Sequence, residues 1–94
     1  MSLDRARTSD SVSVGTGSTV VLPARTDRAE VTLVNDGTNV IYVMCSTNGL
    51  PPTAVAGRGV RLNANGGSWS SDVYTGPIAA IASAGVTNLT VAEL

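Results

Sequence analysis

Chemistry in a protein needs groups that can pass a proton, hold a metal or cradle a phosphate, and this chain carries few of them. It has no histidine and no lysine; its acids number seven and its basic residues six, all arginine. Without histidine no Ser–His or Cys–His couple can form, which removes the usual route to an activated hydroxyl or thiol. The acids Asp4, Asp10, Asp27, Glu30, Asp36, Asp72 and Glu93 stand apart in sequence. A pair of carboxylates of the kind that flanks a glycosidic bond would have to be assembled by folding, and 94 residues leave little chain for a sugar cleft. Asp27 and Glu30, three apart beside Arg25 and Arg28, read as a solvated strand entry. Zinc would want clustered Cys or His. A calcium loop would want several oxygens at short fixed spacing, and "VNDGTN" offers only Asn35, Asp36 and Asn39. "GTGS" (15–18) lacks the lysine and helix of a phosphate loop and reads as a turn. The expectation is a protein without catalytic residues, metal or cofactor, and not an enzyme.

The remaining polar and aromatic groups suit binding. Cys45, within "VIYVMCS", reads as a small buried hydrophobe rather than a reactive thiol, and one cysteine makes no internal disulfide. The arginines, at 5, 7, 25, 28, 58 and 61, form no basic stripe, and the net charge is −1. Nucleic-acid binding needs several cations on one face, so none is expected. Arg58 and Arg61, on opposite faces if both lie on a strand, form no clamp; they read first as solvated arginines, and one of them could anchor a partner carboxylate bidentately. Trp69, Tyr42 and Tyr74 could stack on sugar rings; the position of Trp69 in "GSWSS" favours a core or intersubunit contact.

These residues need a scaffold, and composition says what kind. The length fits one domain. Aromatics make up only 3% and phenylalanine is missing, so the core must be built from Val, Leu, Ile and Ala, which bury less area than rings. Such a thin core favours completion by association. No apolar run approaches the ~20 residues of a membrane helix, and "MSLDRARTSD" lacks the apolar segment of a signal peptide. Asn88-Leu89-Thr90 matches a glycosylation sequon, which without a secretion signal reads as chance.

From Ser11 onward the pattern has period two, in short runs broken by Gly, Pro, Asn and Asp: residues 11–14, 18–22, 29–34, 40–45, 59–62, 68–74, 77–82 and 87–93. No window sustains helical spacing. The pattern predicts an all-β chain: a single-domain antiparallel β-sandwich or jelly-roll-like barrel over residues 11–94, led by an extended N-terminal arm over 1–10. Two hairpins are expected. One joins 29–34 to 38–45 through Asn35-Asp36-Gly37, pairing Val31 with Ile41 and Ala29 with Val43, with Gly37 in the left-handed region. Its outward residues would be Glu30, Thr32, Val40, Tyr42 and Met44, too apolar for a fully solvated face, so part of that face is covered. The other turns at Asn65-Gly66 and sets Leu62 opposite Trp69. The stretch 46–59, with Pro51-Pro52, is a surface loop.

The tail runs "GVRLNANGGSWSSDVYTGPIAAIASAGVTNLTVAEL": a short strand, a glycine-rich turn, then Tyr74-x-Gly76-x-Ile78-x-Ala80-Ile81 and Gly85-x-Thr87-x-Leu89-x-Val91-x-Glu93. This order resembles the C-terminal half of small virion proteins of tailed bacteriophages, those on the capsid exterior as decoration or head-fibre-base proteins. "VTLVNDGTNVIYV" is similar to a hairpin common among them. The resemblance spans about residues 29–93, through glycine and aliphatic positions, and leaves the N-terminal arm unmatched.

The resemblance implies a small β module, made in the bacterial host cytoplasm and carried on the virion, that associates as a homotrimer. It would bind the major capsid protein on the outside of the lattice and stabilise the shell, with neither membrane nor nucleic acid involved. Weak contacts would be multiplied by the number of copies. Ile78, Ile81, Leu89 and Val91 would be core, while Ala79, Ala80 and Ala82 would let another backbone come close. The partner-binding candidates, read from the residues, are Tyr42, Met44, Arg58 and Arg61 together with Arg5 and Arg7 on the arm, which either lies across a neighbouring subunit or an acidic capsid surface or is a disordered tail. Two other readings stay open: a receptor- or glycan-binding module of a tail fibre, which requires an exposed Trp69, and a neck or baseplate component.

Overall fold

The computed structural model describes residues 8–46 and 52–94, and among them there is no helix, hence none long and apolar enough to cross a membrane. There are eight strands: β1 (Thr8–Val14), β2 (Thr19–Leu22), β3 (Val31–Asn35), β4 (Ile41–Cys45), β5 (Val60–Leu62), β6 (Gly67–Ser71), β7 (Ile78–Ala82) and β8 (Thr87–Glu93). Each alternating run of the sequence becomes one of them. They form two four-stranded antiparallel sheets, β1-β8-β3-β6 and β2-β7-β4-β5. This is the strand order of a jelly roll, two interleaved Greek keys packed face to face.

Consecutive strands change sheet at every step except from β4 to β5, and that overturns both expected hairpins. β3 does not pair with β4: it lies between β8 and β6, while β4 lies between β7 and β5. The link over residues 36–40 crosses between the sheets, a gap of ~10 Å that an extended chain covers at ~3.4 Å per residue. Gly37 is not in the left-handed region. It is glycine because a Cβ there would lie 2.2 Å from Thr87 Cγ2 and 3.0 Å from the Asn88 nitrogen. Asn65 (φ 60°) and Gly66 (φ 121°) do make the expected tight turn, but it too passes from one sheet to the other. Trp69 consequently faces Leu33, not Leu62. The expected arm is shorter than 1–10, since Thr8–Asp10 already pair with Val91–Glu93; residues 1–7 lie outside the described residues.

The inward faces follow the alternation. β3 contributes Val31 and Leu33, β4 Ile41 and Val43, β7 Ile78, Ala80 and Ala82, and β8 Leu89 and Val91, all buried. In β2 a register irregularity between Val20 and Leu22 lets Val21 and Leu22 both turn inward. Ile81, expected in the core, falls out of phase with Ile78, Ala80 and Ala82 and points outward, half-buried. Trp69 and Tyr74 pack at the margin of this aliphatic core. Cys45 is half-buried there; burial pushes its thiol above the ordinary value, with the Arg28 charge pulling it down less strongly.

A further inward position of β8, Glu93, changes the reading of Arg25 and Arg28. Arg28 is buried, not a solvated strand entry, and its Nε donates to Glu93 Oε2 at 2.7 Å with both side chains out of solvent. Its Nη1 donates to the carbonyls of Tyr74 (3.2 Å) and Gly76 (3.0 Å), and its Nη2 to that of Pro23 (2.8 Å). Arg25 Nε lies 3.3 Å from Glu93 Oε1. Tyr74 adds a second tie: its hydroxyl donates to the Pro77 carbonyl (2.5 Å) and accepts from the Ser46 amide (2.7 Å). Gly76 leaves room for that ring, since a Cβ there would come 2.7 Å from Tyr74 Oη. One end of the sandwich is locked by charge and hydrogen bonds.

Candidate interface on the outer face of the second sheet

The sites expected to bind a partner converge in part. On β4 the outward residues are Tyr42 and Met44, both half-buried. β5 sets Arg61 directly opposite Tyr42, and β7 sets Ile81 on the other side. The result is a row, Ile81–Tyr42–Arg61, across the outer face of β2-β7-β4-β5. A parallel row runs Val20–Ala79–Met44. Arg61 is exposed, and its Nε donates to Asn63 Oδ1 at 3.0 Å. Arg58 is exposed in the turn before β5 rather than on the strand, so the opposite-face argument does not apply to it. Neither arginine has an ion pair among the described residues. Arg5 and Arg7 lie outside the described residues.

Part of this face is covered by the chain itself. The Ala54 amide donates to Ser18 Oγ at 2.8 Å, at the head of β2. Gly59 lies against the Val43 carbonyl on β4, where a Cβ would meet the oxygen at 2.3 Å. Between these anchors the segment must pass β7 and β4, and the core leaves it only the outer side. Ala79 and Ala54 are accordingly buried yet outside the core cluster. What stays exposed is Arg61, with Val20 (47% exposed) and Val55 (46%), while Tyr42 and Ile81 in the row of Arg61 are half-buried. An arginine fork set among apolar side chains can bind a carboxylate while its surroundings exclude water.

Val20, Val55 and Ile81 are the members that sequence reading missed. For Ile81 the signal was present: strict alternation from Ile78 puts it on the outer face. Val20 and Val55 carried none, because their exposure depends on the irregularity in β2 and on the path of the strap. Trp69 lies on the inward side of β6, partly buried against the core. The described residues enclose no pocket and gather no group of three metal-ligating side chains. The first sheet's outer face is of another kind: Ser11, Thr90, Val34 and Ser68 stand in one row across all four strands, and Thr90 Oγ1 donates to Asp36 Oδ2. No family model matches the chain, and neither a curated protein nor a solved structure does.

Proposed function

We propose that the chain is a non-catalytic structural protein of a tailed-phage virion, a decoration protein that self-associates as a trimer and binds the outside of the capsid. The observation that carries this reading is the second sheet's outer face, where Arg61, with no ion pair among the described residues, stands in one row with Tyr42 and Ile81, and Val20 and Val55 are exposed. A face of that make-up suits an acidic, partly apolar protein surface. The jelly roll supports it as a fold-level analogy, since viral capsid domains use this architecture, although folds are shared among many functions. The resemblance of the tail to capsid-exterior proteins points the same way. A glycan-binding role has less support, because Trp69 faces the core.

Capsids lacking the protein, mixed with it and sedimented, test the reading. Wild-type protein co-sediments and raises the temperature at which the shells open. Arg61→Glu combined with Tyr42→Ala reduces binding at least tenfold while the strand signature in circular dichroism persists. Wild-type protein that ignores capsids, or a variant that binds as well as wild type, would count against it.

A further inference from the structure

The first sheet ends at β1, and the hydrogen bonds around β8 show which of its backbone groups are spare. Residues along a strand turn alternately to one neighbour and to the other. The Asn88 carbonyl accepts from Asp36 N (3.2 Å) and the Leu94 carbonyl from Ala29 N (2.7 Å), so even-numbered residues of this segment face the β3 side. Odd-numbered Thr87, Leu89, Val91 and Glu93 therefore face β1, where their partners are Val14, Val12, Asp10 and Thr8. That leaves the N–H and C=O groups of Ser9, Ser11 and Ser13 on the open edge. The Ser11 amide agrees independently: it donates not to β8 but to Asp10 Oδ1, at 2.8 Å.

An edge of 7 residues with no Pro, Lys or Arg is a template for another strand. We propose that the open edge of β1 is a strand-addition site for β1 of a second copy, and that Asp10 holds it closed. The stretch Ser9-Asp10-Ser11-Val12-Ser13 is self-complementary: about a two-fold axis through Ser11, the backbone groups of 9, 11 and 13 exchange with those of 13, 11 and 9. On the outer face Ser11 would meet the second copy's Ser11, with no bulk in the way. On the inner face Asp10 would fall opposite the second copy's Val12, which is half-buried at the core margin. Pairing would thus strip water from a carboxylate against an apolar side chain and take away its own bond to the Ser11 amide. An inward-pointing acid on an edge strand is a known guard against edge-to-edge growth, and here it also occupies the central donor. The inference is independent of the capsid reading.

Light scattering on the intact chain, with amide exchange by NMR, tests it. Asp10→Ala should raise the particle mass at least twofold over wild type at equal concentration and slow exchange at Ser9, Ser11 and Ser13 about tenfold. Asp10→Ala with Ser11→Pro, which removes the central donor at a position an edge strand tolerates, should return to the wild-type mass. If Asp10→Ala loses its strand signature in circular dichroism, Asp10→Thr, an uncharged strand former, takes its place. A neutral variant with wild-type mass and exchange overturns the proposal, and so does association that survives Ser11→Pro.

Discussion

Arg28 is the side chain whose environment departs furthest from its sequence neighbourhood. "ARTDRAE" looks like a hydrated charged stretch, yet the guanidinium is buried and spends its donors on Glu93 and on the carbonyls of Pro23, Tyr74 and Gly76. Truncating one member of a buried ion pair costs about 3–5 kcal/mol. For a domain of this size each kcal/mol shifts Tm by about 4–8 °C. Arg28→Ala is therefore expected to lower Tm by more than about 10 °C in a calorimetric scan. Arg28→Met combined with Glu93→Leu should recover only part of the loss, because three carbonyls still lack their donor. Full recovery would mean that the carbonyl bonds contribute nothing. Glu93 carried a legible sign: it stands in phase with Thr87, Leu89 and Val91, where a lone acid needs a buried partner. Its partner 65 positions away did not.

At the scale of elements, the strands were readable and their neighbours were not. Alternation assigned Val31, Leu33, Ile41 and Val43 to the inside and Tyr42 and Met44 to the outside, as observed. The pairing failed because turn chemistry at Asn35-Asp36-Gly37 suits a sheet-to-sheet crossing as well as a hairpin. Asn35 makes the crossing specific. Fully buried at the end of β3, its Nδ2 donates to the carbonyls of Asn39 (2.8 Å) and Leu62 (3.0 Å), and its Oδ1 accepts from Gly37 N (2.9 Å). It thus ties the first sheet to the end of β5 in the second. Asn35→Ala should cost on the order of 3 kcal/mol, since it leaves buried groups without partners. Asn35→Asp should cost more, because carboxylate oxygens would face two carbonyls. Urea midpoints of the two variants give the order, and Asp at or above Ala would contradict this account.

At the scale of the whole molecule, among the described strands only β4 and β5 are neighbours both in sequence and in a sheet. Every other ladder closes a longer loop of chain before its hydrogen bonds form, an entropic cost that precedes the gain. Sandwiches of this kind fold in milliseconds to seconds. Refolding followed by stopped-flow fluorescence of Trp69, at the core margin beside Leu33, should fall in that range. Microsecond refolding would mean that local pairing dominates after all.

Local information sufficed for the strand class, the eight segments, most inward residues and the Asn65-Gly66 turn, because alternation and turn preference are written in adjacent residues. The tertiary structure decided which strands pair, the burial of Arg28 with Glu93, the strap over the second sheet and the spare donors of β1. Each of those joins residues far apart in the chain. Their energies come from desolvation and backbone pairing, which do not exist until both sheets are in place.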